Sequence, residues 1–123
     1  MTEASCKISD AEWLVMRVLW QESPLTASLV IEQLKSNTRW SPKTIQTLIT
    51  RLVKKRALGV NKVLGLNHYY PLISEEECMR EETNSFLQKV YGGSLQLLLA
   101  NFVKNESLSE KDIQELKNLL DKK

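Results

Sequence analysis

Residues 40–56 read WSPKTIQTLITRLVKKR, and the fold turns on how this stretch is taken. Ser41 suits a helix N-cap, and Pro42 falls at the first helical position, where its missing N–H is no loss. Ile45, Leu48, Ile49, Leu52 and Val53 follow at helical spacing, which predicts a helix with one apolar stripe. The other side carries Lys43, Gln46, Thr47, Thr50 and Lys54. Those types suit a major-groove surface: glutamine pairs with adenine, threonine offers a hydroxyl and a methyl, and lysine reaches guanine or phosphate. Ser41 and Thr44 at the helix start can donate to a phosphate. Arg51, Lys54, Lys55 and Arg56 add salt-sensitive attraction. A solvated helix face carries the same residue types, and the helix dipole alone favours a basic C-terminal turn. The helix by itself therefore leaves both readings open.

Its neighbours narrow the choice. Ser9 and Glu12 form a capping box, so a first helix starts near Asp10 and places Trp13, Met16, Leu19 and Trp20 on its apolar side. Ser23-Pro24 ends it. A second helix begins at Thr26 or Ala27, turns Val30, Ile31 and Leu34 inward, and stops at the polar turn Ser36-Asn37-Thr38. After Arg56 the pattern changes to β-branched and aromatic residues around Gly65 and Asn67, a short hairpin over 58–63 and 68–72. One of Tyr69 and Tyr70 faces in and the other out. Lys62, Asn67 and His68 are the polar candidates of this wing. Helix, helix, helix, hairpin is the order of a winged helix-turn-helix. Trp13 and Trp20 read as core, and Trp40 as a hydrophobic staple or a residue packed beside DNA.

The rest of the chain is helical. Ser74 and Glu77 make a second capping box for a helix to about Tyr91, followed by a break at Gly92-Gly93. LQLLLANFV at 95–103 is almost wholly apolar, the mark of a helix covered on most sides. Ser109 and Asp112 open a last helix with Ile113, Leu116, Leu119 and Leu120. The fold class is thus mainly α, with a winged-helix DNA-binding domain at 1–73 and a three-helix dimerisation domain at 74–123. So short a helical segment does not enclose a core alone. A two-fold homodimer would bury Phe86, Leu87, Val90, Leu95, Leu98, Leu99, Phe102, Val103, Leu116 and Leu119.

Composition agrees. The 123 residues are 42% hydrophobic and 26% charged, which excludes a disordered chain. Residues 1–73 hold ten Lys/Arg against five Asp/Glu, whereas residues 74–123 hold seven against ten; a basic module joined to an acidic one fits nucleic-acid binding with a separate interaction module. There is no hydrophobic leader and no apolar run of bilayer length, so the expected location is cytoplasmic, without membrane insertion. Cys6 and Cys78 stand apart from any metal-ligand spacing and read as two reduced thiols, and with one histidine no metal or other cofactor is expected. No catalytic motif gathers, and the acidic run Glu75–Glu77 is stabilising at a helix start without further purpose. The competing class is a winged-helix adaptor that binds protein instead of DNA.

The segments ISDAEWLVMRVLW (8–20), WSPKTIQTLITRLVKK (40–55), HYYPLI (68–73), SFLQKVYGGSLQLLLANFV (85–103) and LSEKDIQELKNLL (108–120) resemble the penicillinase-repressor family. The resemblance spans nearly the whole chain. It implies a homodimeric repressor that binds palindromic operators of TACA/TGTA type ahead of β-lactamase or methicillin-resistance genes. It implies further that a membrane-bound β-lactam sensor with a protease domain starts a pathway ending in cleavage of the dimerisation region, at the bond corresponding to Asn101–Phe102. Base contacts would fall to Lys43, Gln46 and Thr47, and backbone contacts to Ser41, Thr44, Arg51, Lys54 and Lys62. Copper-responsive repressors share the N-terminal pattern but end in a cysteine-rich tail that NLLDKK lacks. Two departures stand out: Arg56 holds a helix-end position where the family often has glycine, and the wing, NKVLGLNHYY, is poor in charge.

Overall fold

The computed structural model describes residues 6–105 and 108–121, with the side chains of Leu120 and Asp121 outside that description. The elements are α1 (Asp10–Gln21), β1 (Leu25–Thr26), α2 (Ala27–Leu34), α3 (Pro42–Lys54), β2 (Leu58–Val63), β3 (Leu66–Pro71), α4 (Glu75–Tyr91), α5 (Leu95–Lys104) and α6 (Glu110–Asp121). They fall into two compact units that divide between Glu81 and Glu82.

In the first unit the helices start where their caps dictate. The Ser9 amide donates to Glu12 Oε1 at 2.9 Å while Glu12's amide donates to Ser9 Oγ at 3.1 Å. Thr26 Oγ1 caps α2 through the Leu29 amide. The stripe read from 45–52 is the centre of the core: Ile45, Leu48, Ile49 and Leu52 are buried against Val15, Met16, Leu19, Val30, Leu34 and Leu58. Trp13 and Trp20 are core-packing residues, their rings edge to face at 5.5 Å, and Trp20 Nε1 donates to the Ile73 carbonyl at 2.9 Å. Trp40 packs on the same core.

The sheet is antiparallel in the order β1-β3-β2. Strand β1 was not expected; two residues, Leu25 and Thr26, lie opposite Tyr69 and His68, too few to show a period. The hairpin turn is Leu64-Gly65, so β3 begins at Leu66, two residues before the expected start. Tyr69 is buried, and Tyr70 lies on the other side of the strand over Gly59, where a Cβ would come within 2.5 Å of its ring.

The cysteines correct the expectation of two separate thiols. Cys6 and Cys78 are joined in a disulfide, with Cα atoms 5.1 Å apart. A separation of 72 residues hid the pair from a reading based on spacing. Cys78 is fully buried, so the first turns of α4 pack into the first unit. The boundary between the two compact units accordingly falls inside α4.

The second unit holds the remainder of α4, then α5 and α6. Gly92 and Gly93 adopt left-handed φ of 59° and 90°, which breaks the chain between α4 and α5. Among its described residues none is buried. Within the single chain α5 is not covered as expected: Leu95, Leu97, Phe102 and Val103 are exposed, and Leu98 and Leu99 are half-buried. No described helix is long and apolar enough to cross a membrane.

Candidate nucleic-acid interface

Helix α3 turns its two sides in opposite directions. With the stripe buried, Lys43, Gln46, Thr47, Thr50, Arg51 and Lys54 are all exposed and line one shallow surface. Their chemistry is narrower than their names. Thr47 Oγ1 donates to the Lys43 carbonyl, and Thr50 Oγ1 to that of Gln46, each at 3.0 Å. The hydroxyl protons are thus committed to the helix. What remains for a ligand is a methyl and the oxygen's acceptor capacity. Lys43 and Gln46 keep their donors.

The helix start is likewise partly committed. Ser41 Oγ accepts from the Thr44 amide at 3.2 Å and lies 3.1 Å from Thr44 Oγ1. Pro42 has no N–H, so the Lys43 amide is the first-turn donor left for a phosphate.

A second groove joins three elements. Thr26, Ala27 and Ser28 at the start of α2, Gln46 of α3, and Lys62, Gly65, Leu66 and Asn67 of the wing line it together. Gln46 therefore belongs to both surfaces. Lys62 and Asn67 are cross-strand partners, and both are exposed. Thr26 and Ser28 were missed as interface candidates; the signal available was Thr26's capping role, which puts a helix N-terminus beside the wing. His68 Nδ1 sits 3.1 Å from the Leu66 carbonyl, so that ring braces the wing backbone. No group of three or more His, Cys, Asp or Glu side chains converges among the described residues.

The basic run after α3 separates into different jobs. Lys55 bonds Glu12 Oε1 at 2.5 Å and the Lys7 carbonyl at 3.2 Å, which turns it into an internal anchor. Glu12 is 1% exposed, and its Oε2 is buried without a partner. Burial pushes its pKa up, but the Lys55 and Ser9 hydrogen bonds and the Lys55 charge outweigh it and hold the carboxyl below its ordinary value. Arg56 takes a left-handed φ of 64°. Its amide donates to Val53 and that of Ala57 to Leu52, so the arginine fills the position usually given to glycine in a Schellman cap. Arg51 and Lys54 remain as exposed cations of the helix face.

In the second unit Asn101 and Phe102 lie inside α5, both exposed. Asn101 Nδ2 donates to Tyr91 Oη at 3.0 Å, and its Oδ1 accepts from Asn105 at 3.1 Å. The Tyr91 ring meets Phe86 edge on at 6.0 Å. Of the residues expected at a dimer interface, Phe86, Val90, Leu95, Phe102, Val103, Leu116 and Leu119 are exposed, while Leu87, Leu98 and Leu99 are half-buried.

Residues 8–122 match the family model described as Penicillinase repressor. The methicillin resistance regulatory protein MecI of Staphylococcus aureus strain N315 is 41% identical over 123 residues, covering all of both chains. The penicillinase repressor of Bacillus licheniformis is 41% identical over 115 residues, 94% of this chain and 90% of that one. The solution structure of monomeric Bacillus licheniformis BlaI in complex with the blaP half-operator superposes with a TM-score of 0.53 at 43% identity, covering 63% of this chain and 93% of that one.

Proposed function

This chain belongs to the penicillinase repressor family, and on that premise we propose that it represses transcription by holding an operator through α3 of two copies. The observation that carries this reading is the division of α3: one side is the core of the first unit, and the other presents Lys43, Gln46 and Thr47 with Arg51 and Lys54 beside them. Lys43 and Gln46 donate to base edges, Thr47 meets a thymine methyl, and Ser41, Thr44, Arg51, Lys54 and Lys62 hold the backbone. Resistance genes of the kind named for MecI and the penicillinase repressors are the proposed targets, and the cytoplasm, where that DNA lies, is the proposed location. The relatives are named as regulators and repressors, not as enzymes.

The exposed apolar side chains of the second unit support a homodimer that presents two reading heads to a palindrome. Its half-sites would be spaced by about 34–36 Å or a multiple of one helical turn. Severing Asn101–Phe102, at the end of a pathway that a membrane-bound β-lactam sensor protease sets off, removes part of that interface. Each head then loses the effective concentration its partner supplied.

Selection of bound duplexes from random DNA tests the reading. A palindrome should emerge. Thr47→Ala should narrow the gap between the selected operator and scrambled DNA by about tenfold, whereas Arg51→Ala should weaken both alike. Absence of any enriched sequence would favour the adaptor reading instead.

A further inference from the structure

The wing tip combines a left-handed turn with exposed apolar side chains. In the Leu64-Gly65 turn both residues are left-handed, with φ of 51° and 82°. A two-residue turn of that kind normally takes Asn-Gly, because an asparagine tolerates the left-handed region and a branched apolar residue does not. Here the first position is a leucine, and its side chain is 98% exposed. Val63 and Leu66, which pair across the same turn, are exposed at 46% and 59%. Backbone strain and exposed apolar surface both work against the free molecule. An unfavourable local arrangement that gains nothing within the fold marks a contact made with something else.

The position of the tip says with what. Gly65 and Leu66 line the groove that also holds Gln46 of α3, Lys62 and Asn67. The tip is thus continuous with the reading surface, and its immediate polar neighbours are a cation and an amide. That composition matches a polyanion with an apolar slot. A protein partner would call for a broader apolar face than one turn of a two-stranded ribbon. With α3 in the major groove, the next groove along the duplex is the minor one, about 6 Å wide. Leucine is among the residues that proteins insert between base steps from that side.

We propose that Leu64 enters the minor groove of duplex DNA flanking the half-site and wedges at a deformable pyrimidine–purine step, with Val63 and Leu66 against the groove walls and Lys62 and Asn67 on the bordering phosphates. This rests on α3 reading the half-site. It makes the wing a source of specificity through deformation of flanking DNA, at positions where no base edge is hydrogen-bonded.

Leu64→Asn tests it well, because the variant restores the favoured turn and should fold at least as firmly as the parent. Full-length protein is titrated onto a selected operator with 2-aminopurine at the flanking TA step, and onto one whose flank lacks such a step. Unstacking should raise the fluorescence with the parent and not with Leu64→Asn. The parent should prefer the TA flank by about tenfold, and the variant should lose that preference while keeping its discrimination against scrambled half-sites. Because the wedge contributes no charge, the salt dependence of binding should be the same for both. Retention of the flank preference and fluorescence rise by Leu64→Asn overturns the wedge. Unchanged DNA behaviour with altered self-association in sedimentation also overturns it, and assigns the tip to protein contact. A parent that does not distinguish operator from scrambled DNA overturns the reading of α3 itself, a result separate from the other two.

Discussion

Two residues at the end of α3 show how one sequence motif can hide unlike roles. In the run Lys54-Lys55-Arg56, Lys55 is bound to a nearly buried carboxylate. Removing one member of such a pair leaves an uncompensated charge inside the protein. The Lys55 side chain is 38% exposed and so partly screened, and Lys55→Met should therefore destabilise the first unit by about 1–2 kcal/mol at neutral pH, measured by urea denaturation. The pH dependence has a definite sign. Glu12's folded pKa is depressed, so its contribution is present above the ordinary glutamate range and is lost as pH falls through the folded value. In Lys55→Met, burial is left with less to oppose it and the folded pKa rises, so acid should narrow the gap between parent and variant. A gap that widens on acidification would contradict the assignment. Arg56 presents the reverse case, a left-handed arginine that glycine would relieve. Arg56→Gly should raise stability by about 1 kcal/mol, read as a higher urea midpoint. A lower midpoint would mean that the arginine side chain stabilises the fold by more than its backbone conformation costs.

Elements with repeated signals were legible in the sequence, and those made by single contacts were not. The apolar spacing of 45–52 and the caps at Ser9, Ser41 and Ser74 predict helices that form where expected, because periodicity and capping are local. Strand β1 was invisible, since two residues carry no period and it exists only through pairing with β3. The wing turn was drawn two residues too long because turn chemistry points to asparagine and glycine and so drew Asn67 in, whereas Leu66 and Asn67 already pair with β2. The interface was half legible: the types on α3 could be read off, but the commitment of the Thr47 hydroxyl to its own helix depends on a rotamer. For α5 the structure bears on the proposed proteolysis. The Asn101–Phe102 bond lies in helical backbone, with the Asn101 carbonyl accepting from Asn105 at 3.1 Å, and a protease binds its substrate extended. The proposed cleavage would then track the population of locally opened α5. Ala100→Gly, costing about 1 kcal/mol of helix stability, should speed nicking there about fivefold, measured by mass spectrometry of limited digests. An unchanged rate would place the limiting step elsewhere.

At the scale of the molecule, two units solve the problem of burial differently. The first encloses its own core and adds a covalent tie from Cys6 to Cys78 across 72 residues, which in the chain-entropy account stabilises by about 4 kcal/mol. A reductant should lower its unfolding midpoint accordingly, and Cys78→Ala should remove that sensitivity. The second unit has no such resource. Among its described residues nothing is buried, and side chains as large as Phe86, Leu95 and Phe102 are 41–55% exposed. Burying an apolar side chain of that size from water contributes about 1.5–3 kcal/mol, so the proposed second copy would supply what the single chain lacks. Folding of this unit should then be coupled to association, and its stability should follow mass action. The thermal midpoint of the second transition is expected to rise with protein concentration, while that of the first stays fixed. Leu98→Asp, placing a charge on the apolar side of α5, should abolish the concentration dependence and give a monomer in sedimentation. The variant's affinity for an isolated half-site should be unchanged and its affinity for the full palindrome much reduced. A parent whose second transition is independent of concentration, and whose full-palindrome affinity equals that for the half-site, would show that this unit is stabilised without a partner and that the two heads act singly.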